Sequence, residues 1–179
     1  MSSCDSATSP RLIETLCVNC GLCCNGALFA DVELQPADSA APLREHGLKF
    51  RTRRAGKTPV KFLQPCAAFD GCRCQVYELR PLMCRKFECH LLQRAQHGEV
   101  KPASALATIQ STRQRIEKVE AFLTTLGENS TDRPVGWRFQ KCLRAAERGN
   151  WDEAKLETLA ELLLAMHQLN GVLQREFLP

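Results

Sequence analysis

The apolar positions fall into two regimes. From Pro102 onward they recur at three- and four-residue steps, and before it they are short and interrupted. Leu106, Ile109, Ile116, Val119, Leu123 and Leu126 form one stripe of a helix that Gly127 ends. Residues 134–148 predict a second helix, carrying Trp137, Phe139 and Leu143 and stopped at Gly149. Asn150 reads as the N-cap of a third, with Glu153 three residues on as in a capping box. That helix presents Leu156, Leu159, Leu162, Leu163, Met166, Leu169, Leu173 and Phe177. A helical pair or three-helix bundle is expected.

The first half reads differently. Ser9-Pro10 has the character of an N-cap and first helical residue, opening a short helix over 11–16. Residues 27–34 alternate in part and predict a short strand. Residues 36–46 predict a short helix, with Gly47 just past its end. Residues 48–53 alternate apolar and basic positions, 55–57 make a turn, and Val60, Phe62 and Leu63 return, so a small hairpin is expected. Pro81 starts a helix running to about His97 and ended by Gly98.

Composition places the chain among globular proteins, with 44% hydrophobic and 25% charged residues, enough for one sizeable core. The formal charge of +4 is mild. Lys49, Arg51 and Arg53 share the outer face of the expected hairpin, with Arg54, Lys57 and Lys61 nearby. A solvated edge that discourages strand–strand pairing accounts for them. No aromatic residues interleave with those charges, so nucleic acid is not an expected partner. The first ten residues are small and polar, which does not read as a secretory leader. No stretch reaches ~18 apolar residues, so no membrane span is expected. A cytoplasmic location, where thiols stay reduced, is the expectation.

Eleven cysteines change this picture. Cys17, Cys20, Cys23 and Cys24 follow a C-x2-C-x2-C-C spacing, and Cys66, Cys72, Cys74, Cys84 and Cys89 form a second group. Cys4 and Cys142 stand apart, the first in the N-terminal tail and the second read as a small buried hydrophobe. An odd number of thiols in a reducing compartment points to metal rather than to a disulfide framework. Two cysteines separated by two residues reach one ion from one tight turn. Adjacent side chains such as Cys23 and Cys24 diverge, which favours two neighbouring sites or a bridging thiolate. On a continuous helix Cys84 and Cys89 would lie ~140° apart around the axis, so one shared ion requires the helix to break.

The C-x2-C-x2-C-C opening is followed by Pro65-Cys66, then by Cys74, Tyr77-Glu78, Arg80-Pro81, Cys84-Arg85 and Phe87. This succession resembles the CxxCxxCC (YkgJ-type) family of zinc- or iron-chelating proteins over residues 14–90. The resemblance implies metal ligation by Cys17, Cys20, Cys23, Cys24, Cys66, Cys74 and Cys84, with Cys89 often joining them. Cys72 departs from the family pattern, either as a spare thiol or in place of a ligand. The fold class expected is mainly α, or α+β with a small hairpin. An irregular cysteine-rich module over 11–98 would pack on a helical region over 101–179 as one compact unit.

Eight thiolates on two dications would carry −4 and bring the formal +4 close to zero. Arg73, Arg80, Arg85 and Lys86 are candidates to donate N–H groups to sulfur, or Arg80 and Arg85 pair with Glu78 or Glu88. Tyr77 and Phe87 read as core around the metal. His90 reads as a helix-surface residue, with zinc ligation the alternative. The leading function is metal binding, zinc first and iron or an iron–sulfur cluster second, in a structural or storage role. Closed thiolate sites offer no position for activating water. An iron–sulfur redox or methyltransferase-related protein is the alternative, although no G-x-G-x-x-G loop follows a strand. A dithiol redox protein needs fewer thiols than these. The helical region is a candidate surface for a protein partner.

Overall fold

The computed structural model describes residues 12–51, 60–71, 73–149 and 151–178. In chain order these form α1 (Leu12–Cys20), β1 (Asp31–Glu33), α2 (Ala40–Glu45), β2 (Phe50–Arg51), β3 (Lys61–Leu63), a 3-10 turn at Tyr77–Leu79, α3 (Leu82–Lys86), α4 (His90–Gln96), α5 (Pro102–Thr125), α6 (Val135–Glu147) and α7 (Glu153–Glu176). The architecture is mainly α with a small antiparallel sheet, as expected.

The long pair α5 and α7 is the frame. Pro102 opens α5, where a missing N–H costs nothing. Ala105, Ile109, Thr112, Ile116, Val119 and Leu123 are buried at three- and four-residue steps. Thr112 sits in that stripe because its hydroxyl donates to the Thr108 carbonyl at 2.7 Å. On α7 the buried face is Leu162, Ala165, Met166, Leu169 and Leu173. Burying each of the larger side chains stabilises the fold by about 1.5–3 kcal/mol. Leu16, Leu22, Leu91 and Leu92 join the same core, so α1 and α4 pack on the long pair.

Four expectations about the helices need correcting. The buried face of α7 leaves Leu156 and Leu163 outside, 51% and 45% exposed. Its N-cap is Asp152, whose side chain accepts the Lys155 N–H, because Glu153 is already the first helical residue. Asn150 lies outside the described residues. On α6 the buried positions are Val135, Arg138 and Cys142, while Trp137 faces out. At the N-terminus, α1 runs on through Cys17 to Cys20 instead of stopping at Leu16. The Ser9-Pro10 start lies outside the described residues.

The hairpin of β2 and β3 forms as expected, with its 55–57 turn outside the described residues. The expected 27–34 strand is the shorter β1, and it adds to the other side of β3. Val32 and Phe50 both face Phe62 in the register. A second, smaller apolar cluster builds on Phe62 with Val32, Leu34, Leu43, Leu48, Ala68 and Val76. The third strand also changes the reading of the basic edge. Lys61 is paired with Asp31 at 3.2 Å and Glu33 at 3.6 Å. Arg53, Arg54 and Lys57 lie outside the described residues.

The expected helix over 81–97 is broken. It is two short helices with Phe87, Glu88 and Cys89 between them. The His90 amide, which an unbroken helix would turn inward, donates instead to the Phe177 carbonyl at the end of α7. Phe87 sits edge-on to Phe29 at 4.8 Å between centroids.

Candidate metal centre

Each cysteine is held by a short element with its own local cause. Cys17 and Cys20 are three apart on the last turn of α1, and therefore on one side of it. Gly21 stops the helix at φ +68, and its carbonyl accepts the Cys24 and Asn25 amides, each at 2.9 Å. This turn carries Cys23 and Cys24, whose sulfurs are 3.8 Å apart. A Cβ at residue 21 would stand 2.3 Å from Cζ of Phe69, so the second cysteine segment rests directly on this glycine.

Cys66 is fixed by its own amide, which donates to the Cys24 carbonyl at 2.8 Å and so joins the two segments. The loop then turns through Asp70, whose carboxylate accepts the Arg73 amide at 2.7 Å, and Cys74 bridges back to Phe69. Cys84 lies on α3, whose Leu82 amide donates to Asp38 at 2.9 Å. Cys89 is the N-cap of α4, reached only because the helix breaks before it. Cys72 lies outside the described residues. Cys142 is buried in the main core, away from the others, as expected.

All eight thiols therefore share one neighbourhood, although they come from segments tens of residues apart. Among the described residues, no three or more His, Cys, Asp or Glu side chains are arranged to hold a metal ion as they stand. An ion would have to draw the sulfurs inward.

Burial, followed by the charges of neighbouring thiols, raises most of them. Cys17 is pushed up to about 11, by burial and then by Cys23 and Cys89. Burial pushes Cys20 and Cys84 up to about 12. Cys66, Cys74 and Cys89 are raised, burial again leading. Cys24 and Cys23 split: the Cys24 thiol hydrogen-bonds to Cys23, which lowers Cys23 and raises Cys24. Backbone amides oppose the trend. Those of Leu22, Ala68 and Val76 lower Cys20, Cys66 and Cys74, each from two residues on. The amides of Leu92 and Leu91 act likewise on Cys89.

Arg80 sets a positive charge beside the thiols. It lowers Cys17, Cys23, Cys74 and Cys84. Its Nε donates to the Tyr77 carbonyl at 3.0 Å, and its guanidinium lies 3.6 Å from the Tyr77 ring centroid. Among the described residues neither Arg80 nor Arg85 forms an ion pair with Glu78 or Glu88. Tyr77 is 48% exposed, so it supports Arg80 from outside and is not core. His90 turns away from the thiols, with Nδ1 3.4 Å from the Arg175 carbonyl. Phe69 was missed by sequence reasoning; its only signal was its place between Cys66 and the Asp70-Gly71 turn.

The donor set is soft sulfur with oriented amides and one guanidinium, which fits a thiophilic cation such as zinc or iron. The family model described as "putative zinc- or iron-chelating domain", CxxCxxCC, matches residues 16–143. The chain belongs to the CxxCxxCC family. No curated protein and no solved structure matches it. The CxxCxxCC match runs past the clustered cysteines into α6, well beyond the 14–90 segment that carries the sequence resemblance. The packing gives a reason. The Val135 amide donates to the Gly26 carbonyl at 3.3 Å, and Gly26, at φ +83, leaves only 3.1 Å between a would-be Cβ and the Pro134 Cα. The start of α6 thus closes on the turn that carries Cys23 and Cys24. Metal chelation is the activity that the family assigns.

Proposed function

We propose that Cys17, Cys20, Cys23, Cys24, Cys66, Cys74, Cys84 and Cys89 are the chelating residues, and that the ion is zinc in a structural or storage role. The observation that carries this reading is the convergence of eight sulfurs whose charges oppose one another. Like charges gathered at this density are destabilising unless protonated or neutralised by a cation. Nine described cysteines are free of disulfides, which supports a reducing, cytoplasmic setting. No described helix is long and apolar enough to cross a membrane. When bound, the ion supplies cross-linking between the two cysteine segments, and fully sulfur-ligated zinc keeps no position for a reacting water. Residues 11–98 and 101–179 act as one unit in this reading, because Leu16 and Leu91 share a core with α5 and α7.

One observation favours an iron–sulfur cluster as the second reading. A cavity of about 60 Å³ adjoins Cys17, Cys20, Cys23 and Cys89 and is otherwise walled mostly by leucine and phenylalanine. It has room for about four water-sized bodies, more than one ion held by sulfur at about 2.3 Å requires. Anaerobic purification with elemental analysis and an absorption spectrum separates the two. Colourless protein containing zinc supports the first reading. Brown protein containing iron and sulfide replaces it with the second, and well-folded protein that takes up neither metal defeats both.

A further inference from the structure

The eight thiols are not equivalent by position. The cavity beside α1 is lined by Cys17, Cys20, Cys23 and Cys89 and by none of the other four. The two apolar clusters divide the cysteines in the same way. Cys20 and Cys89 pack against the large core of α1, α4, α5 and α7. Cys66, Cys74 and Cys84 pack against the small core built on Phe62. Cys24 belongs with the latter by its backbone, since its carbonyl holds the Cys66 amide. The Gln75 amide, donated to the Ala68 carbonyl at 2.8 Å, ties Cys74 to the turn after Cys66.

From this division we infer that the chain builds two neighbouring four-thiolate metal sites, Cys17/Cys20/Cys23/Cys89 and Cys24/Cys66/Cys74/Cys84. The inference rests on the chelation reading above and deepens it. Each site combines thiols from both segments, so each ion ties the N-terminal turn to a different partner: the first to the α3–α4 break, the second to the 66–74 loop and α3. The sulfurs of Cys23 and Cys24 lie 3.8 Å apart, so the two sites are neighbours that meet at this pair, with Cys23 on the cavity side and Cys24 on the side of Cys66.

The test counts zinc by native mass spectrometry on the full chain, stripped of metal and reloaded with zinc(II). Two ions are expected for the parent, one for Cys89→Ser, one for Cys74→Ser, one for Cys23→Ser and none for Cys89→Ser/Cys74→Ser. Loss of both ions in Cys23→Ser would make that sulfur a bridge and overturn the division. So would a parent that binds a single zinc, or a Cys89→Ser protein that retains two. A parent that binds no zinc and no iron removes the chelation reading itself, which is a different failure. Because a serine variant can fail to fold, the loaded parent is also alkylated during slow withdrawal of zinc by a chelator. Its thiols should become reactive in two groups of four, with Cys23 in the group of Cys17 and Cys24 in the group of Cys66. Eight thiols released together, or Cys23 and Cys24 released as a pair ahead of the rest, overturn the two-site division.

Discussion

At the scale of single residues, Gly21 shows how local geometry and the site are the same problem. Its φ of +68 suits a residue without Cβ, and its bare face is filled by the Phe69 ring. Gly21→Ala should cost about 1–2 kcal/mol for the left-handed backbone and about 1–3 kcal/mol more for displacing the ring. Urea denaturation of the metal-free protein measures the sum. Adding Phe69→Ala should remove less than the whole penalty, because the backbone part remains; full recovery would mean that the left-handed turn is not required. The thiols themselves were legible from spacing alone, since no packing argument needs C-x2-C-x2-C-C. Phe69 was not, because a phenylalanine between turn residues carries no mark of what it covers. Tyr77 was misjudged for the related reason that an aromatic near ligands reads as core, whereas a neighbouring arginine gives it an exposed task.

Helices and strands were legible where periodicity was long. The stripe of α5 and the glycine stops at 127 and 149 follow from the sequence. On α7, leucine occurs at 162, 163 and 164 in succession, and only the partner surface of α5 decides that Leu162 is the buried one. The break between α3 and α4 contains no Gly or Pro; the His90 amide that it frees is held by Phe177, and such a contact has no local signature. The link between α5 and α6 is an electrostatic one. Glu128 accepts the Ser130 amide at 2.8 Å and pairs with Lys141, while its carbonyl receives the Arg138 guanidinium at 3.0 Å. Burial raises this carboxyl, and the Lys141 and Ser130 hydrogen bonds outweigh it, leaving it at about 2 against an ordinary 4.5. A lowered carboxyl stabilises the fold above about 4.5 and loses that contribution as pH falls towards 2. Glu128→Gln should therefore cost about 1–3 kcal/mol at neutral pH and almost nothing near pH 2. Thermal melts across that range check it, and a penalty that does not change with pH would show the charge to be irrelevant.

For the whole molecule, the two readings of charge meet in the thiols. The formal +4 counts every cysteine as neutral, and seven of the eight clustered thiols stand above their ordinary 9.0, Cys24 through its hydrogen bond to Cys23 and the other six through burial. At neutral pH those seven carry protons without metal, and zinc must displace them. Uptake should release about seven protons per chain, measured with an indicator in weak buffer, and apparent zinc affinity should rise with pH. Release of fewer than about three would mean that most of these thiols are not ligands. The loaded protein should also migrate as a less basic species than the sequence value of about 8.5.

The contact between His90 and the end of α7 has a consequence in time. The α4 amide next to Cys89 is held by the Phe177 carbonyl, and the His90 ring meets Arg175 across a separation of 85 residues. A ribosome delivers that clasp long after both cysteine segments have emerged. The growing chain therefore presents its thiols before the end of α7 exists to hold the amide next to Cys89.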